Sequence, residues 1–315
     1  MIKIGFFGTP EISAYVLQAL FDAGFNVSWV VTQPDRKSGR GLKLTPPPVK
    51  AKAQSLGIEV FQSEKFDRAM FANISGKPVD LSVVVAYGSY LPTYFIELSA
   101  KTPLNIHVSL LPKYRGAAPV ARAIMSGDNE TGVTIMKLAK EMDAGDIVAQ
   151  KKIEIQNGDN VETLTWKLVK EGVDLLISSI PDYLAGKITT VKQSDTGVEP
   201  SCADKITTKE KSIDWNKSSK EIHDKVRALY PWPIAEARIN GVDIKIIKTL
   251  WSGDKSDVNP GEIVGILRKE NQIIVSTKDG VLLVEKVQPF GKREMTVSEF
   301  TNGYKIDKGM RFENV

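Results

Sequence analysis

Apolar residues in the first half of the chain come in short, nearly continuous runs separated by amphipathic stretches. Ile2 to Phe7 predicts a buried strand, and Glu11 to Ala23 a helix with Ile12, Val16, Leu17 and Leu20 on one face and Gly24 at its end. A second strand is expected over Asn26 to Thr32, helices over Val49 to Leu56 and Asp67 to Ile74, a β-branched strand over Leu81 to Ala86, and a shorter one over Leu104 to Val108. Val161 to Leu184 predicts one long helix. Strands that are apolar throughout, alternating with helices, imply a mostly parallel sheet covered on both faces.

The pattern changes after a polar stretch at 189–205, which reads as a linker. A helix over Ser219 to Leu229 is followed by five strand-like runs: Ala235 to Ile239, Val242 to Leu250, Glu262 to Leu267, Gln272 to Ser276 and Val281 to Val287. Asn240-Gly241 and Asp279-Gly280 supply turn signals between them. A small OB-like β-barrel is expected, giving a domain at 1–188 and another at 206–315. Trp215 and Trp232 are expected as packing residues rather than stacking platforms.

Composition narrows the function. A chain of 315 residues, 42% hydrophobic and 25% charged, is neither collagen-like nor disordered. The one cysteine, Cys202, has no Cys or His neighbour at zinc-ligand spacing, and with only His107 and His223 a three-His metal site is impossible. No metal is expected. The N-terminus enters a strand at once, leaving no room for a cleavable signal, and no apolar run approaches the roughly 20 residues that span a bilayer. A cytoplasmic monomer without membrane attachment is the expectation.

Net charge is +4, and it comes from residues 205–315, with 20 Lys and Arg against 16 Asp and Glu. A second basic zone lies in the Gly- and Pro-rich stretch Gln33 to Pro48, expected as a long loop, where Arg36, Lys37, Arg40 and Lys43, followed by Lys50 and Lys52, face only Asp35. Two basic zones on a neutral body suit a polyanionic partner.

Several common motifs are missing. Gly5-Phe6-Phe7-Gly8 lacks the dinucleotide fingerprint, Gly127 to Gly132 is followed by no lysine, and there is neither a nucleophile elbow nor an H-E-x-x-H helix. What is present is Asn105-Ile106-His107 on a short strand, with both polar side chains on one face. A carboxamide beside an imidazole suits acyl transfer: one donates to a developing oxyanion, the other handles protons. Glu141 to Asp146 adds a carboxylate in a turn, and Asp143 can orient the imidazole and stabilise its cation.

At these residues the chain resembles the folate-dependent formyltransferases, in particular those that formylate charged initiator tRNA. The resemblance is carried by Asn105 through Pro119 (N-x-H-x-S-L-L-P, then R-G-x-x-P) and by Asp143 to Asp146 (D-x-G-D). Phe7-Gly8-Thr9-Pro10, Gln33-Pro34-Asp35-Arg36, Val84 to Gly88, Ile213-Asp214-Trp215 and Pro231-Trp232-Pro233 extend it over nearly the whole chain. Val108 stands where Gly or Ala is expected, and Ser89-Tyr90 replaces a pair of aliphatics. The resemblance implies a Rossmann-like sheet followed by a tRNA-binding barrel. It implies transfer of a formyl group from 10-formyltetrahydrofolate to the α-amine of methionyl initiator tRNA, for translation initiation. Asn105, His107 and Asp143 would be catalytic; Tyr87, Gly88, Ser109, Leu110, Leu111 and Pro112 would bind folate; Arg40 and Lys43 would bind tRNA. A small amine, an amino-sugar nucleotide or water as acceptor would use the same three catalytic groups.

Overall fold

The computed structural model describes residues 1–38 and 41–314. They form two compact units, one from Met1–Gly116, Gly132–Ile153 and Trp166–Cys202, the other from Ala117–Thr131, Glu154–Thr165 and Ala203–Val315.

The first unit is built on a seven-stranded sheet in the order Ile147–Glu154, Glu130–Lys137, Leu104–His107, Leu81–Val85, Lys3–Gly8, Asn26–Thr32, Glu59–Gln62. The pairings from Leu104–His107 to Glu59–Gln62 are all parallel, and Glu130–Lys137 runs antiparallel to Leu104–His107. Strand side chains alternate between two cores. Ile4, Phe6, Val30, Leu81, Val83 and Val85 meet helices Glu11–Asp22 and Val161–Leu184, whereas Phe7, Trp29, Val31 and Val84 meet Met70, Ile74 and Phe95 on the other side. Covering on both faces explains why these strands are apolar throughout. Trp29 lies across Gly5, where a Cβ would come within 2.2 Å of its ring.

Residues 33–48 are not a simple loop. Arg36–Ser38 and Lys43–Thr45 pair as an antiparallel hairpin, with Arg36 opposite Thr45 and Lys37 opposite Leu44. The base is anchored, because Asp35 accepts from Lys50 Nζ and Gln62 Nε2, both at 2.8 Å. The Lys50 bond, with help from Gln62, holds the Asp35 carboxyl below the usual carboxylate range. Lys43 is exposed on this hairpin, and Arg40 lies outside the described residues. The stretch 189–205 has structure of its own, including a bridge from Val191 to Ile147 and a 3-10 turn at Gln193–Thr196.

The second unit is an antiparallel sheet in the order Ile263–Leu267, Gln272–Ser276, Val281–Pro289, Val242–Trp251, Ala235–Ile239, Phe312–Glu313. It curls on itself: Ile263 N donates to Met310 O at 2.8 Å, and Glu262 bridges Arg311. Helices Ser219–Ala228 and Val297–Tyr304 each begin with a capping box, Ser218 with Glu221 and Thr296 with Glu299. Ile222, Val226, Ile244, Ile246, Val284, Val287 and Phe300 form the core. Trp215 is packed against Phe312, as expected, but Trp232 is 58% exposed. It lies between Pro231 and Pro233 in an irregular turn, where no strand or helix period directs a side chain inward. Among the described residues no helix is long and apolar enough to cross a membrane.

Candidate active site

The site begins where two neighbouring strands end. Leu81–Val85 and Leu104–His107 are paired in parallel, Val84 beside Asn105, so both deliver the chain to the same edge of the sheet. Leu104 and Ile106 are buried, while Asn105 and His107 occupy the alternate positions. Asn105 is half-buried, and its carboxamide makes no hydrogen bond among the described residues. His107 is 6% exposed.

Both ring nitrogens of His107 face oxygen. Nε2 is 2.9 Å from the Tyr114 carbonyl, and Nδ1 is 3.6 Å from Asp143 Oδ2. A carbonyl only accepts, so Nε2 carries the hydrogen in that bond, and the Nδ1 contact is an ion-pair distance rather than a hydrogen bond. A neutral ring has one N–H for these two acceptors. With the hydrogen on Nε2 the bond to Tyr114 O is made, and Nδ1 is left facing the carboxylate, where a proton would form an ion pair. Asp143 Oδ2 also accepts from the Gly116 N–H at 2.9 Å, which ties the carboxylate to the turn that carries Tyr114.

The segment after His107 is fixed by its own polar groups. Ser109 Oγ donates to Lys113 O at 2.7 Å, and Thr134 Oγ1 donates to Ser109 O at 2.7 Å while accepting from Leu111 N at 3.2 Å. Gln150 Nε2 donates to Leu111 O at 2.8 Å. The Leu111 side chain packs on Met136 and Ile147, and Leu110 covers Gly132, where a Cβ would come within 2.4 Å of it.

Tyr87 belongs to the aromatic core. Its ring meets Phe7 edge-on at 5.7 Å, its carbonyl accepts from Thr9 Oγ1 at 2.7 Å, and burial pushes its hydroxyl pKa up to about 12. That hydroxyl has no partner among the described residues. Gly88 is exposed at φ +82, with open space where a Cβ would point.

The structure therefore brings His107 and Asp143 together, with Asn105 on the same strand. The folate set divides into backbone at Gly88 and Ser109 to Pro112, and side chains of Tyr87 and Leu111 that serve the core. Sequence reasoning misses Thr134, Gln150 and Gln193, none of which lies at a spacing that would single it out; Arg115, which stands in the R-G-x-x-P stretch, joins them by donating to Gln193.

A family profile described as "Formyl transferase" matches residues 2–180, and one described as "Formyl transferase, C-terminal domain" matches residues 205–305. The methionyl-tRNA formyltransferase of Levilactobacillus brevis is 42% identical over 306 residues, covering 96% of both chains. That of Streptococcus agalactiae is 40% identical over 313 residues, again covering 96% of each. The chain belongs to the methionyl-tRNA formyltransferase family. Among solved structures, an N-formyltransferase from Helicobacter canadensis in complex with folinic acid and dTDP-3-aminofucose shares the fold of this formyltransferase, with a TM-score of 0.68 at 20% identity, over 92% of this chain and all of that one. HypX from Aquifex aeolicus in complex with tetrahydrofolic acid has a TM-score of 0.62 at 15% identity, over 96% of this chain and 47% of its own.

Proposed function

We propose that the chain transfers the formyl group of 10-formyltetrahydrofolate to the free α-amine of methionyl initiator tRNA, using Asn105, His107 and Asp143. The observation that carries the residue assignment is the His107 ring held between Tyr114 O and Asp143 Oδ2, on the strand that also presents Asn105. The co-substrate supplies an activated formyl carbon: its bond to N10 breaks, a bond to the amine forms, and one proton passes from the amine to N10.

An α-amino group titrates near about 7.7 to 8.0, so a good share is free base at neutral pH and needs no strong base before attack. The larger task is the charge that develops on the formyl oxygen. Asn105, with its carboxamide uncommitted, is suited to donate there. His107 is the proton carrier, and its looser contact, at Nδ1, is where a proton can be exchanged. Asp143 stabilises the ring when it is charged, and its bond to Gly116 N keeps it in place.

Folate would lie along Gly88 and Ser109 to Pro112, meeting the backbone of those residues. The division of labour would give residues 1–188 the folate and the chemistry, 189–205 the linking role, and 206–315 the general attraction for tRNA. The hairpin carrying Lys43, with Arg40 in the same segment, would read the tRNA. Metal plays no part in this reading.

The test is incubation with 10-formyltetrahydrofolate and charged initiator tRNA, scoring formylmethionine after ester hydrolysis, with an amino-sugar nucleotide and buffer alone as competing acceptors. Formylmethionine from the tRNA is the expected result. Formylation of the sugar amine alone, or release of free formate at the same rate without tRNA, would overturn the acceptor assignment.

A further inference from the structure

The turn that carries Asp143 has a backbone that few residues adopt. Asp143 itself is at φ 52, and a Cβ on Gly145 would lie 1.8 Å from Lys137 O. The facing turn is similar, with Tyr114 at φ 61 and Gly116 at φ 122. Left-handed backbone at non-glycine positions persists only where surrounding contacts over-determine it.

Those contacts come from the stretch 193–201. Gln193 is 3% exposed, and its carboxamide is fully used. Nε2 donates to Asp143 O and Gly145 O, both at 2.8 Å, while Oε1 accepts from Arg115 Nε at 2.9 Å and Nη2 at 2.6 Å. Turning the amide over would aim its oxygen at two carbonyls and its hydrogens at a guanidinium, so only one orientation is stable. Eight residues on, Ser201 holds the facing turn: its Oγ accepts from Tyr114 N at 2.9 Å, its carbonyl accepts from Arg115 N at 2.8 Å, and its N–H donates to Pro112 O at 3.2 Å. One short stretch thus fixes both turns that present oxygen to His107.

We propose that Gln193 is a positioning residue for formyl transfer: its carboxamide locks the turn that aims Asp143 at His107. This rests on the reading that Asp143 and His107 take part in the chemistry. Gln193 acts through the Asp143 and Gly145 carbonyls, and Arg115 fixes the amide that makes those bonds. The role has a distinctive consequence. Losing Gln193 should displace Asp143 by a fraction of an ångström to an ångström and cost turnover, without removing any group that folate or tRNA would touch.

The experiment uses the full chain, charged initiator tRNA and 10-formyltetrahydrofolate, with Gln193→Leu, Gln193→Glu, Asp143→Ala and the Gln193→Leu/Asp143→Ala pair. Gln193→Glu keeps an acceptor for Arg115 but faces two carbonyls with no hydrogen to give, so it should fail as Gln193→Leu does. Both single variants should lose about ten- to a hundredfold in kcat, the scale of a misplacement near 1 Å, with the folate KM within about twofold. In the Asp143→Ala background the added Gln193→Leu change should cost nothing further, which a general structural defect would not produce. If Gln193→Leu does not fold, Gln193→Glu decides. A kcat near that of the unchanged protein, an additive loss in the pair, or full activity in Gln193→Glu would overturn the proposal. Full turnover in Asp143→Ala would instead remove the catalytic assignment, and the positioning role with it.

Discussion

His107 and His223 are the only histidines in the chain, and they are buried almost equally, at 6% and 5% exposed. What separates them is the balance of donors and acceptors around each ring. His223, in the helix Ser219–Ala228, has Nδ1 2.9 Å from the Thr249 hydroxyl and Nε2 3.1 Å from the Asn157 carbonyl. A hydroxyl can donate, so a neutral ring with one proton, on Nε2, satisfies both contacts. His107 faces a carbonyl at 2.9 Å and a carboxylate at 3.6 Å, neither of which donates while the carboxylate is ionised. Equal burial therefore carries opposite meanings. One ring has both its contacts satisfied when neutral; the other has a carboxylate, which gives no hydrogen, beside its second nitrogen.

The surroundings follow the same division. Next to His223, Asp224 is buried with two cations: Lys220 Nζ at 2.7 Å, and Arg227 through Nε at 2.8 Å and Nη2 at 2.7 Å. Arg227 Nη1 also donates to the carbonyls of Gln156 and Asp159, at 3.1 and 3.0 Å. This network ties separate segments of the second unit together. The largest effect on the comparison should come from breaking it. Asp224→Ala leaves Arg227 buried without its carboxylate and should cost about 3 to 5 kcal/mol of stability, read from denaturant midpoints. A loss below about 1 kcal/mol would mean that the cluster is solvated and that His223 is not in a fixed structural setting.

Next in size is the other side of the contrast. Asn105→Ala, His107→Ala and Asp143→Ala should each lower formyl transfer at least about a hundredfold, close to 2.7 kcal/mol in the barrier, while leaving tRNA binding nearly unchanged. Near-normal turnover in all three would place the chemistry elsewhere. His223→Gln should do the reverse, lowering stability with little change in turnover measured well below the melting temperature.

Much of the fold and part of the site are legible in the sequence, and the remainder is hidden for identifiable reasons. Val161–Leu184 keeps a helical period throughout, and Ala235–Ile239 and Gln272–Ser276 are bracketed by turn residues, so their bounds follow directly from the pattern. Pro119–Met125 escapes notice because Pro119 reads as a breaker, although proline suits the first turn of a helix. The strand Glu130–Lys137 is obscured by Gly132, which is there because Leu110 and Lys151 O leave no room for a side chain. The helix Val297–Tyr304 is too short for its period to stand out, yet Thr296 and Glu299 at capping-box spacing mark its start. At the site, residue types and the resemblance point to Asn105, His107 and Asp143. No local pattern reveals that Tyr114 O takes the second ring nitrogen, or that Gln193, 50 residues beyond Asp143, holds its turn.

A smaller effect should appear on acidification. Burial, above all, pushes the His223 pKa below its ordinary value of 6.5, with Arg227 and Lys220 acting in the same direction and the Asn157 carbonyl and Asp224 opposing. The unfolded chain takes up a proton near 6.5 that the folded ring resists. The stabilisation is therefore present above that pH and is lost as pH falls through and below it. The melting temperature should decline from pH 7 toward pH 5, and His223→Gln should flatten that part of the curve from a lower starting value. An unchanged slope would mean that His223 does not titrate as a buried neutral ring.

The smallest expected effect concerns Tyr87, whose place in the folate set conflicts with its packing. Its ring belongs to the cluster of Phe7, Trp29, Phe66 and Phe95, and its hydroxyl is buried with no partner among the described residues. An unsatisfied buried hydroxyl costs free energy, so replacing it by hydrogen should be neutral or slightly stabilising, within about 1 kcal/mol. Tyr87→Phe should therefore leave the melting temperature level or slightly raised, and the folate KM unchanged, because the ligand would meet the exposed backbone at Gly88 rather than the phenol. Steady-state kinetics with varied 10-formyltetrahydrofolate and a thermal melt settle the matter together. A severalfold rise in folate KM at unchanged stability would give the hydroxyl a ligand as its missing partner and move Tyr87 from the core side of the comparison to the working side.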